Sequence, residues 1–375
     1  MKILLTGGGT GGHFYPIIAI TEAIYDLAEE ERLLQPKIIL ASDKKYSKQL
    51  TDKEELIFKK IYSGKVRNYF SLLSVFDFFK TILGVLKGIW IVYWSMPDVV
   101  FGKGGSVSFP ILLAAKIFGI PVIIHESDSV PGKVNKWASK FAERIAISFP
   151  ESSTYLPKGK TALTGTPVRK SLIGLNREEG VEAFDLEDNV PTILVLGGSQ
   201  GSQKINDAVV DISKELVNSF QIIHQCGIKN IKDTEGRIKI SLQESLFANR
   251  YHVLPYLNDS QMRNAASVAN LVISRGGSGS IYEIATWGIP SIIIPLKNSA
   301  QDHQKENAYN YARTGAAKVI EEKNLLSQIL ISEINAILSN KEKQKEMSQA
   351  AKDFARTDSA KKIAKEILNL ALAHQ

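Results

Sequence analysis

The stretch Ile3-Leu-Leu-Thr-Gly-Gly-Gly-Thr-Gly-Gly12 places a short apolar run directly before a glycine-rich loop. The same order of features returns in Ile193-Leu-Val-Leu-Gly-Gly-Ser-Gln-Gly201. In α/β proteins a buried parallel strand often ends in such a loop, where the next helix begins. The two stretches therefore predict two similarly built halves, each opening with a strand, a glycine loop and a helix.

Alternation of apolar runs and helical patterns extends this prediction along the chain. A second pair of loops also recurs, Lys103-Gly-Gly-Ser106 and Arg275-Gly-Gly-Ser278, and each precedes a Gly-Ile-Pro strand entry. The predicted strands are Lys2–Thr6, Lys37–Ala41, Asp98–Phe101 and Pro121–Ile124, then Thr192–Leu196, Phe220–Ile223, Asn270–Ile273 and Ser291–Ile294. We expect two α/β domains with mainly parallel sheets, joined through a polar, irregular stretch over 177–189.

Composition and charge narrow the class of protein. The chain has 375 residues, 44% of them hydrophobic and 23% charged, which is typical of a globular protein. A single cysteine, Cys226, excludes a disulfide framework and a multi-thiol metal site, and no signal-like segment follows Met1, so we expect a cytosolic protein. The net charge of +7 suits nucleic acid, phosphorylated small molecules or an anionic membrane. Residues 44–67 hold eight basic and three acidic residues, which favours a membrane surface over nucleic acid.

The most apolar segment, Phe70–Trp94, follows this basic cluster. Charged residues interrupt it, whereas a membrane span needs about 20 predominantly apolar residues. Small or polar residues recur in it at helical spacing, at Ser74, Asp77, Thr81, Gly84 and Gly88. This pattern predicts an amphipathic helix that either packs into its own domain or lies on a membrane, and the adjacent basic residues favour the membrane interface.

Glycine loops between a strand and a helix bind phosphate groups through backbone N–H groups and the positive end of the helix. Gly7, Gly9 and Gly12 fit the dinucleotide pattern G-x-G-x-x-G, but Asp43 lies farther along the chain than the usual acidic residue. Neither a P-loop motif nor H-E-x-x-H is present in the sequence. We therefore predict neither a P-loop nucleotidase nor a zinc hydrolase, and neither a protein-bound metal nor a cofactor.

Seven ordered motifs resemble the MurG family of glycosyltransferases. They are Gly7-Gly-Gly-Thr-Gly-Gly-His13, Lys103-Gly-Gly-Ser-Val-Ser108, His125-Glu126 with Pro131-Gly132 and Asn135-Lys136, Gly165-Thr-Pro-Val-Arg169, Gly197-Gly-Ser-Gln-Gly201, Ser274-Arg-Gly-Gly-Ser278 through Glu283, and Asp302-His-Gln304 with Asn307-Ala308. The resemblance implies a GT-B fold, with two Rossmann-like domains facing across a cleft. The expected domains are 1–164, which binds the acceptor and faces the membrane, and 165–355, which binds the UDP-sugar, with helix 356–375 packed back on the first.

The same resemblance implies an inverting, metal-independent hexosyltransferase. It would move N-acetylglucosamine from UDP to the 4-hydroxyl of the muramyl sugar of lipid I, giving lipid II for bacterial peptidoglycan synthesis. Its expected location is peripheral, on the cytoplasmic face of the plasma membrane, with UDP-N-acetylglucosamine, lipid I, an anionic membrane surface and cell-wall synthesis proteins as partners, and without nucleic acid.

Site residues are carried over from the matching motifs. His13 is the candidate general base, with helix capping or acceptor orientation as its alternatives, and Asn135 is a second catalytic candidate or a helix-start contact. The expected donor-binding residues are Thr10, Gly11, Gly12, Asp128, Arg169, Ser199, Leu257, Gly277, Ser278, Gly279, Ser280, Glu283 and Gln304. Asp128 departs from the family pattern, in which asparagine is common, so its contact with the sugar loses the amide donors. The loop of Lys103 and Gly104-Gly105 suits a lipid-linked pyrophosphate.

Three alternative functions stay open on the sequence. A GT-B transferase could act on a different lipid or small-molecule acceptor. A two-domain nucleotide-sugar-binding protein would bind the donor without turnover. A nicotinamide-dependent oxidoreductase would bind its cofactor at residues 7–12, although one such enzyme site would not explain duplicated loops.

Overall fold

The computed structural model describes residues 1–45, 52, 56–64, 72–198, 201–297 and 299–374. The chain forms two compact units. The first comprises Met1–Arg169 and Arg356–Gln375, and the second comprises Lys170–Ala355. The first unit therefore extends beyond the expected boundary at residue 164, because the Gly165 carbonyl accepts hydrogen bonds from the His125 ring and the Ser359 hydroxyl.

The first unit is built on a parallel seven-stranded sheet with the order β3-β2-β1-β4-β5-β6-β7. Its strands are β1 Lys2–Thr6, β2 Lys37–Ser42, β3 Ile57–Lys60, β4 Val99–Gly102, β5 Val122–Glu126, β6 Arg144–Ile147 and β7 Thr161–Leu163. Its helices are α1 Gly11–Glu30, α2 Leu72–Ser95, α3 Phe109–Ile117, α4 Lys133–Ala138 and, at the end of the chain, α14 Ser359–Ala373. Ile3 and Leu5 pack on the α1 and α14 side of this sheet and Leu4 on the α3 side, so β1 is apolar on both faces.

The second unit contains a parallel six-stranded sheet with the order β10-β9-β8-β11-β12-β13. Its strands are β8 Thr192–Leu196, β9 Gln221–Gln225, β10 Tyr251–Leu254, β11 Ala269–Ser274, β12 Ser291–Ile293 and β13 Ala317–Val319. Its helices are α5 Arg177–Phe184, α6 Gln203–Asp211, α7 Ser213–Leu216, α8 Ile231–Ser241, α9 Asp259–Val268, α10 Ser278–Trp287, α11 His303–Ala312, α12 Ser327–Leu338 and α13 Lys341–Phe354.

The expectation of an irregular stretch over 177–189 is wrong for its first part, where α5 forms. The Asn176 side chain caps this helix by accepting a hydrogen bond from the Glu178 N–H. Gly180 allows a close approach to α9, since a methyl group there would lie 2.6 Å from the Asn264 carbonyl oxygen. A helix therefore forms within this polar stretch, where a side-chain cap and packing against α9 stabilise it.

The last helix, α14, buries Ile363, Ile367 and Leu368 in the apolar cluster that α1 also lines. Lys361 pairs with Glu30 at 2.7 Å on the surface. The sequence predicts a cap over 357–359, but Asp358 makes no side-chain capping bond. The helix start is held instead by the Ser359 hydroxyl, which donates to the Gly165 carbonyl at 2.8 Å.

The stripe of small and polar residues on α2 faces its own unit. The Thr81 hydroxyl accepts a hydrogen bond from the Gly64 N–H at 3.1 Å. A methyl group on Gly84 would overlap the Tyr62 carbonyl group, and one on Gly88 would lie 2.7 Å from the Pro110 carbonyl oxygen. Large apolar side chains on the remaining faces are exposed: Phe78, Phe79, Leu83, Leu86, Trp90, Tyr93 and Trp94. Within the described residues, Asp77–Ser95 is apolar and long enough to cross a membrane.

Candidate active site

The two glycine loops of the first unit meet at the carboxyl edge of its sheet. They follow β1 and β4, which are neighbours, although α1 leads from β1 to β2 and α2 leads from β3 to β4. Such a reversal of strand order is where open α/β sheets bind ligands. Gly105 has φ +77°, and a methyl group on it would lie 3.3 Å from the Gly8 carbonyl oxygen, so glycine is required for this contact between the loops.

His13 lies in the first turn of α1, next to both loops. Its Nδ1 is 3.0 Å from the Thr10 hydroxyl, which fixes the orientation of the ring. A side chain at Gly105 would approach the imidazole, with a methyl carbon 3.6 Å from Cε1. Asp43 stabilises the first loop, since its Oδ1 accepts hydrogen bonds from the Gly9 N–H at 3.1 Å and the Ser42 hydroxyl at 3.3 Å. An imidazole held in this way can exchange a proton at Nε2 while Thr10 occupies Nδ1.

Glu126, at the end of β5, organises the next loop from a buried position. Its Oε1 accepts a hydrogen bond from the Asp128 N–H at 2.9 Å, and its Oε2 accepts from the Gly132 N–H at 3.0 Å and from Asn135 Nδ2 at 2.9 Å. Asn135 Nδ2 also donates to the His125 carbonyl at 3.0 Å. Burial and the negative charge of Asp128 raise the pKa of the Glu126 carboxyl. Asn135 therefore has a structural role at the start of α4, and its catalytic role stays a prediction.

His125 is part of the interior of the first unit. Its Nε2 lies 3.1 Å from the Ser148 hydroxyl and 3.0 Å from the Gly165 carbonyl oxygen. Burial, together with the positive charge of Lys103, lowers the pKa of this imidazole well below its ordinary value. A neutral ring in this place joins β5 and β6 to the segment after β7.

Lys103 is buried too, with 1% of its surface exposed. Burial lowers the pKa of its ammonium group, and the charges of Glu126 and Asp128 partly oppose this effect. Its Nζ makes no hydrogen bond with the described residues. The ammonium group therefore lies inside the unit, and the fit of this loop to a lipid-linked pyrophosphate stays a prediction.

The second unit has an equivalent edge between β8 and β11, where its strand order reverses. Arg275 braces the two loops there. Its Nη2 donates to the Ser202 hydroxyl at 2.5 Å and pairs with Glu322 at 2.7 Å, and its Nη1 donates to the Ile294 carbonyl at 3.1 Å. In the sequence Arg275 is recognisable only as a member of a motif, at the start of the loop that follows β11.

The N-terminus of α10 is open to a ligand. No side chain caps this helix at Gly277, and methyl groups on Gly277 or Gly279 would meet nothing within 4 Å. Ser278 and Ser280 lie in the same first turn, and Glu283 is half-buried on the following one. An uncapped helix start of this kind presents N–H groups and partial positive charge to an anion. The predicted diphosphate residue Ser199 lies outside the described residues.

Other predicted donor-binding residues have structural partners. Gln304 Oε1 accepts a hydrogen bond from the Leu296 N–H at 3.1 Å, so part of the hydrogen-bonding capacity of this side chain is used within its own unit. Leu257 is buried directly before Asn258, which caps α9. Arg169 belongs to the first unit, where its guanidinium group stacks 4.0 Å above the Tyr15 ring. The donor-binding roles of these residues stay predictions.

Sequence profiles identify both halves of the chain. The profile of the glycosyltransferase family 28 N-terminal domain matches residues 3–147, and that of the C-terminal domain of the same family matches residues 192–367. The chain belongs to glycosyltransferase family 28. This membership and the two parallel sheets confirm the predicted α/β fold class and the enzyme class of a hexosyltransferase.

Relatives of this family 28 chain are similar along most of its length. A protein of Clostridium tetani (strain Massachusetts / E88) is 34% identical over 343 residues, 91% of each chain, and one of Clostridium botulinum (strain Hall) is 35% identical over 342 residues, 91% of this chain and 92% of its own. Both are named UDP-N-acetylglucosamine–N-acetylmuramyl-(pentapeptide) pyrophosphoryl-undecaprenol N-acetylglucosamine transferase.

A solved structure supports the same fold. The crystal structure of MurG from Acinetobacter baumannii superposes with a TM-score of 0.72 at 24% identity, covering 98% of this chain and 99% of that one. The resemblance to the MurG family drawn from the seven motifs is confirmed. In this family 28 chain the four glycine loops follow β1, β4, β8 and β11. These are the strand ends at which open α/β sheets bind ligands.

Proposed function

We propose that this enzyme transfers N-acetylglucosamine from UDP-N-acetylglucosamine to the 4-hydroxyl of the muramyl sugar of lipid I, and so makes lipid II. The observation that carries this proposal is the similarity over 91% of the chain to relatives named for that transfer. The geometry of the two units supports it, since each has a glycine-loop edge suited to one of two large substrates.

In the proposed reaction the acceptor oxygen attacks C1 of the donor sugar with inversion. The C1–O bond to UDP breaks, the diphosphate leaves with the electron pair, and the hydroxyl proton passes to a base. His13 suits this role because the Thr10 hydroxyl holds Nδ1 at 3.0 Å. The tautomer with its proton on Nδ1, donating to Thr10, would present Nε2 as the proton acceptor.

The departing diphosphate gains negative charge at its leaving oxygen. The uncapped start of α10, over 277–280, would stabilise this charge through backbone N–H groups. Glu283 on the same helix would accept hydrogen bonds from the ribose hydroxyls. The brace by Arg275 keeps this helix start next to the loop that follows β8.

The test is UDP release from UDP-N-acetylglucosamine with and without a soluble lipid I analogue, followed by the mass of the product. We expect release only with the analogue, and a product heavier by one N-acetylhexosamine. Release only with another acceptor would indicate a different transferase, and donor binding without release would indicate a binding protein. Either result would contradict the proposal.

His13→Ala tests the base. We expect turnover to fall by about 10²- to 10⁴-fold while UDP affinity stays unchanged, because the base acts on the transition state. The matched control is His374→Ala, which removes an exposed imidazole near the end of α14 and is expected to keep full turnover. Unchanged turnover in the His13 variant would remove this residue from the mechanism.

We further propose that the enzyme is peripheral to the cytoplasmic face of the plasma membrane and docks through the exposed face of α2. Phe79 and Trp90 are 59% and 57% exposed, and Phe118 extends the apolar surface beside Tyr93, with ring centroids 6.1 Å apart. Several large apolar side chains exposed together on one helix are unusual in a soluble monomer, and such a patch commonly marks an interaction surface. Lys80 and Lys116 lie exposed on α2 and at the end of α3, which suits anionic headgroups.

Replacing Phe79 and Trp90 with serine is expected to weaken sedimentation with anionic phosphatidylglycerol vesicles. Leu34→Ser is the matched control, because Leu34 is 90% exposed in the first unit but does not belong to α2. Equal sedimentation of both variants with the wild type would contradict the docking proposal. We expect the Phe79 and Trp90 variant to keep full turnover in the transfer assay with a soluble acceptor. Sedimentation therefore tests membrane docking, and the transfer assay tests the reaction, independently of each other.

A further inference from the structure

Asp43 is the acidic residue that follows β2, and the proposed reaction does not use it. In dinucleotide-binding α/β folds an acidic residue beyond the glycine loop binds the ribose of the cofactor. Here the β1–β2 register, which pairs Thr6 with Ala41, brings the end of β2 beside the first glycine loop. The Asp43 carboxylate is bonded to that loop, since its Oδ1 accepts a hydrogen bond from the Gly9 N–H at 3.1 Å.

The carboxylate and the loop are in close contact. A methyl group on Gly8 would overlap Asp43 Oδ1 and would lie 2.6 Å from the Ser42 hydroxyl oxygen, so the loop can come this near only with glycine at that position. The Ser42 hydroxyl donates to the same Oδ1 at 3.3 Å. Two donors therefore hold one carboxylate oxygen against the backbone of the loop.

The bond to Asp43 fixes the orientation of one peptide group. The Gly8–Gly9 peptide is trans, so its carbonyl and its N–H point in opposite directions. While the N–H points to Asp43, the Gly8 carbonyl faces the other glycine loop, where a methyl group on Gly105 would lie 3.3 Å from its oxygen. The peptide is thus held between the end of β2 and the loop that follows β4.

This peptide leads directly to the candidate base. Gly9 is exposed, and a methyl group on it would meet nothing within 4 Å, so packing around this residue does little to fix the chain. Thr10 comes next, at the start of α1. Its hydroxyl makes no capping bond to the helix backbone but lies 3.0 Å from His13 Nδ1. Threonine at a helix start ordinarily caps the helix, so its use on an imidazole indicates that the orientation of the ring matters.

We propose that Asp43 is a positioning residue for the proton transfer to His13. It holds the Gly8–Gly9 peptide in the orientation that places Thr10, and Thr10 in turn orients the imidazole. This proposal rests on the proposed function. The carboxylate also takes the backbone donor that a phosphate group would use in a glycine loop, so the two exclude each other at Gly9. The first loop therefore orients a base and does not bind an anion through this N–H group.

The test compares Asp43→Ala, Asp43→Asn and Asp43→Glu in the transfer assay with the soluble lipid I analogue. Asparagine keeps an oxygen at the position of Oδ1, whereas alanine lacks the acceptor and glutamate displaces it towards a loop that leaves no room. We expect kcat to fall about tenfold for alanine and glutamate, as for a lost hydrogen bond to a charged group, and to stay within about threefold of the wild type for asparagine. Equal losses with asparagine and alanine would refute the role of this hydrogen bond.

UDP affinity, measured by calorimetry, separates positioning from a general defect. We expect it to stay unchanged in all three variants, because the diphosphate and ribose contacts proposed above lie in the second unit. Glu143→Ala is the matched control, since it removes an exposed carboxylate from the first unit and should keep full turnover. A loss of UDP affinity together with kcat would contradict the proposal. Tighter binding of the acceptor by Asp43→Ala would also contradict it, because the carboxylate would then be obstructing a phosphate site.

A double-mutant cycle with His13→Ala tests whether Asp43 acts through the imidazole. In the His13→Ala background, Asp43→Ala is expected to lower kcat by less than about twofold, since the base that it positions is already absent. Asp43→Glu replaces the alanine variant in this cycle if the latter melts below the assay temperature. A second tenfold loss, on the scale set above, would show that Asp43 acts independently of His13 and would overturn the proposal. Absence of transfer by the wild type would refute the proposed function instead, so the two failures are distinguishable.

Discussion

Replacing Gly84 with alanine is expected to destabilise the first unit, although alanine favours helices. Gly84 lies within α2, where the exchange of glycine for alanine alone would stabilise a helix by about 1 kcal/mol. A methyl group at this position, however, overlaps the Tyr62 carbonyl group, with the carbonyl carbon 2.9 Å away and Pro110 Cγ 3.4 Å away. Because the clash is with backbone, the helix itself must move.

Overpacking of this kind costs about 3 kcal/mol at the upper end of its usual range. After subtraction of the helix propensity gain, the expected net loss is about 2 kcal/mol. For a unit of this size such a loss lowers the melting temperature by about 4–8 °C. Differential scanning calorimetry of the full chain measures this shift.

Gly236→Ala is the matched control. Gly236 lies inside α8, and a methyl group there meets nothing within 4 Å, so the propensity gain should be undiminished. We expect this variant to melt about 2–4 °C higher. If Gly84→Ala also melts higher than the wild type, the packing of the small-residue stripe against residues 61–64 and α3 is refuted.

Two further predictions concern charge inside the second unit. Burial lowers the pKa of His224 from 6.5 to about 3, so below pH 6.5 the unfolded chain binds a proton that the folded chain does not. The free energy of unfolding therefore falls by about 2 kcal/mol between pH 6.5 and 5, whereas above pH 6.5 this loss is absent. His224→Gln should remove this contribution from the slope of the unfolding free energy against pH. A slope unchanged by the substitution would refute this. Arg275→Met should lower the free energy of unfolding by about 3 kcal/mol, because it removes the ion-pair partner of Glu322, whose side chain is 12% exposed. Adding Glu322→Gln should restore most of the lost melting temperature. If the melting temperature does not recover, the broken ion pair is not the cause of the loss.

The central strands and the four glycine loops could be predicted from the sequence for a local reason. Strands buried on both faces, such as Thr192–Leu196, are continuous apolar runs, and a glycine loop ends them abruptly. The edge strands Ile57–Lys60 and Thr161–Leu163 lack that signal because none of their residues is fully buried. They form because a neighbouring strand already offers its hydrogen-bonding edge, which local sequence does not record.

The orientation of α2 and the location of Lys103 could not be predicted, since both depend on tertiary contacts. A stripe of glycine and threonine ordinarily suggests the solvent side of an amphipathic helix, but here it is the side that packs, because the backbone of 61–64 approaches it. A lysine next to a Gly-Gly loop ordinarily suggests a phosphate ligand, but this one is buried, where the charge of Glu126 acts on it. The sequence pattern indicates the period of a helix, but which side of the helix packs depends on the neighbouring elements.

The duplicated architecture gives the two units the same edge but different chemistry. In the first unit polar side chains line the loops: the Thr10 hydroxyl lies 3.0 Å from His13 Nδ1, and Glu126 binds the loop that carries Asp128. In the second unit Arg275 braces the loops from the side and leaves the start of α10 uncapped. A group that can take a proton lies in the first unit, and a group that attracts an anion lies in the second. A transfer reaction needs both kinds of group, because the attacking hydroxyl must lose a proton while the diphosphate gains charge.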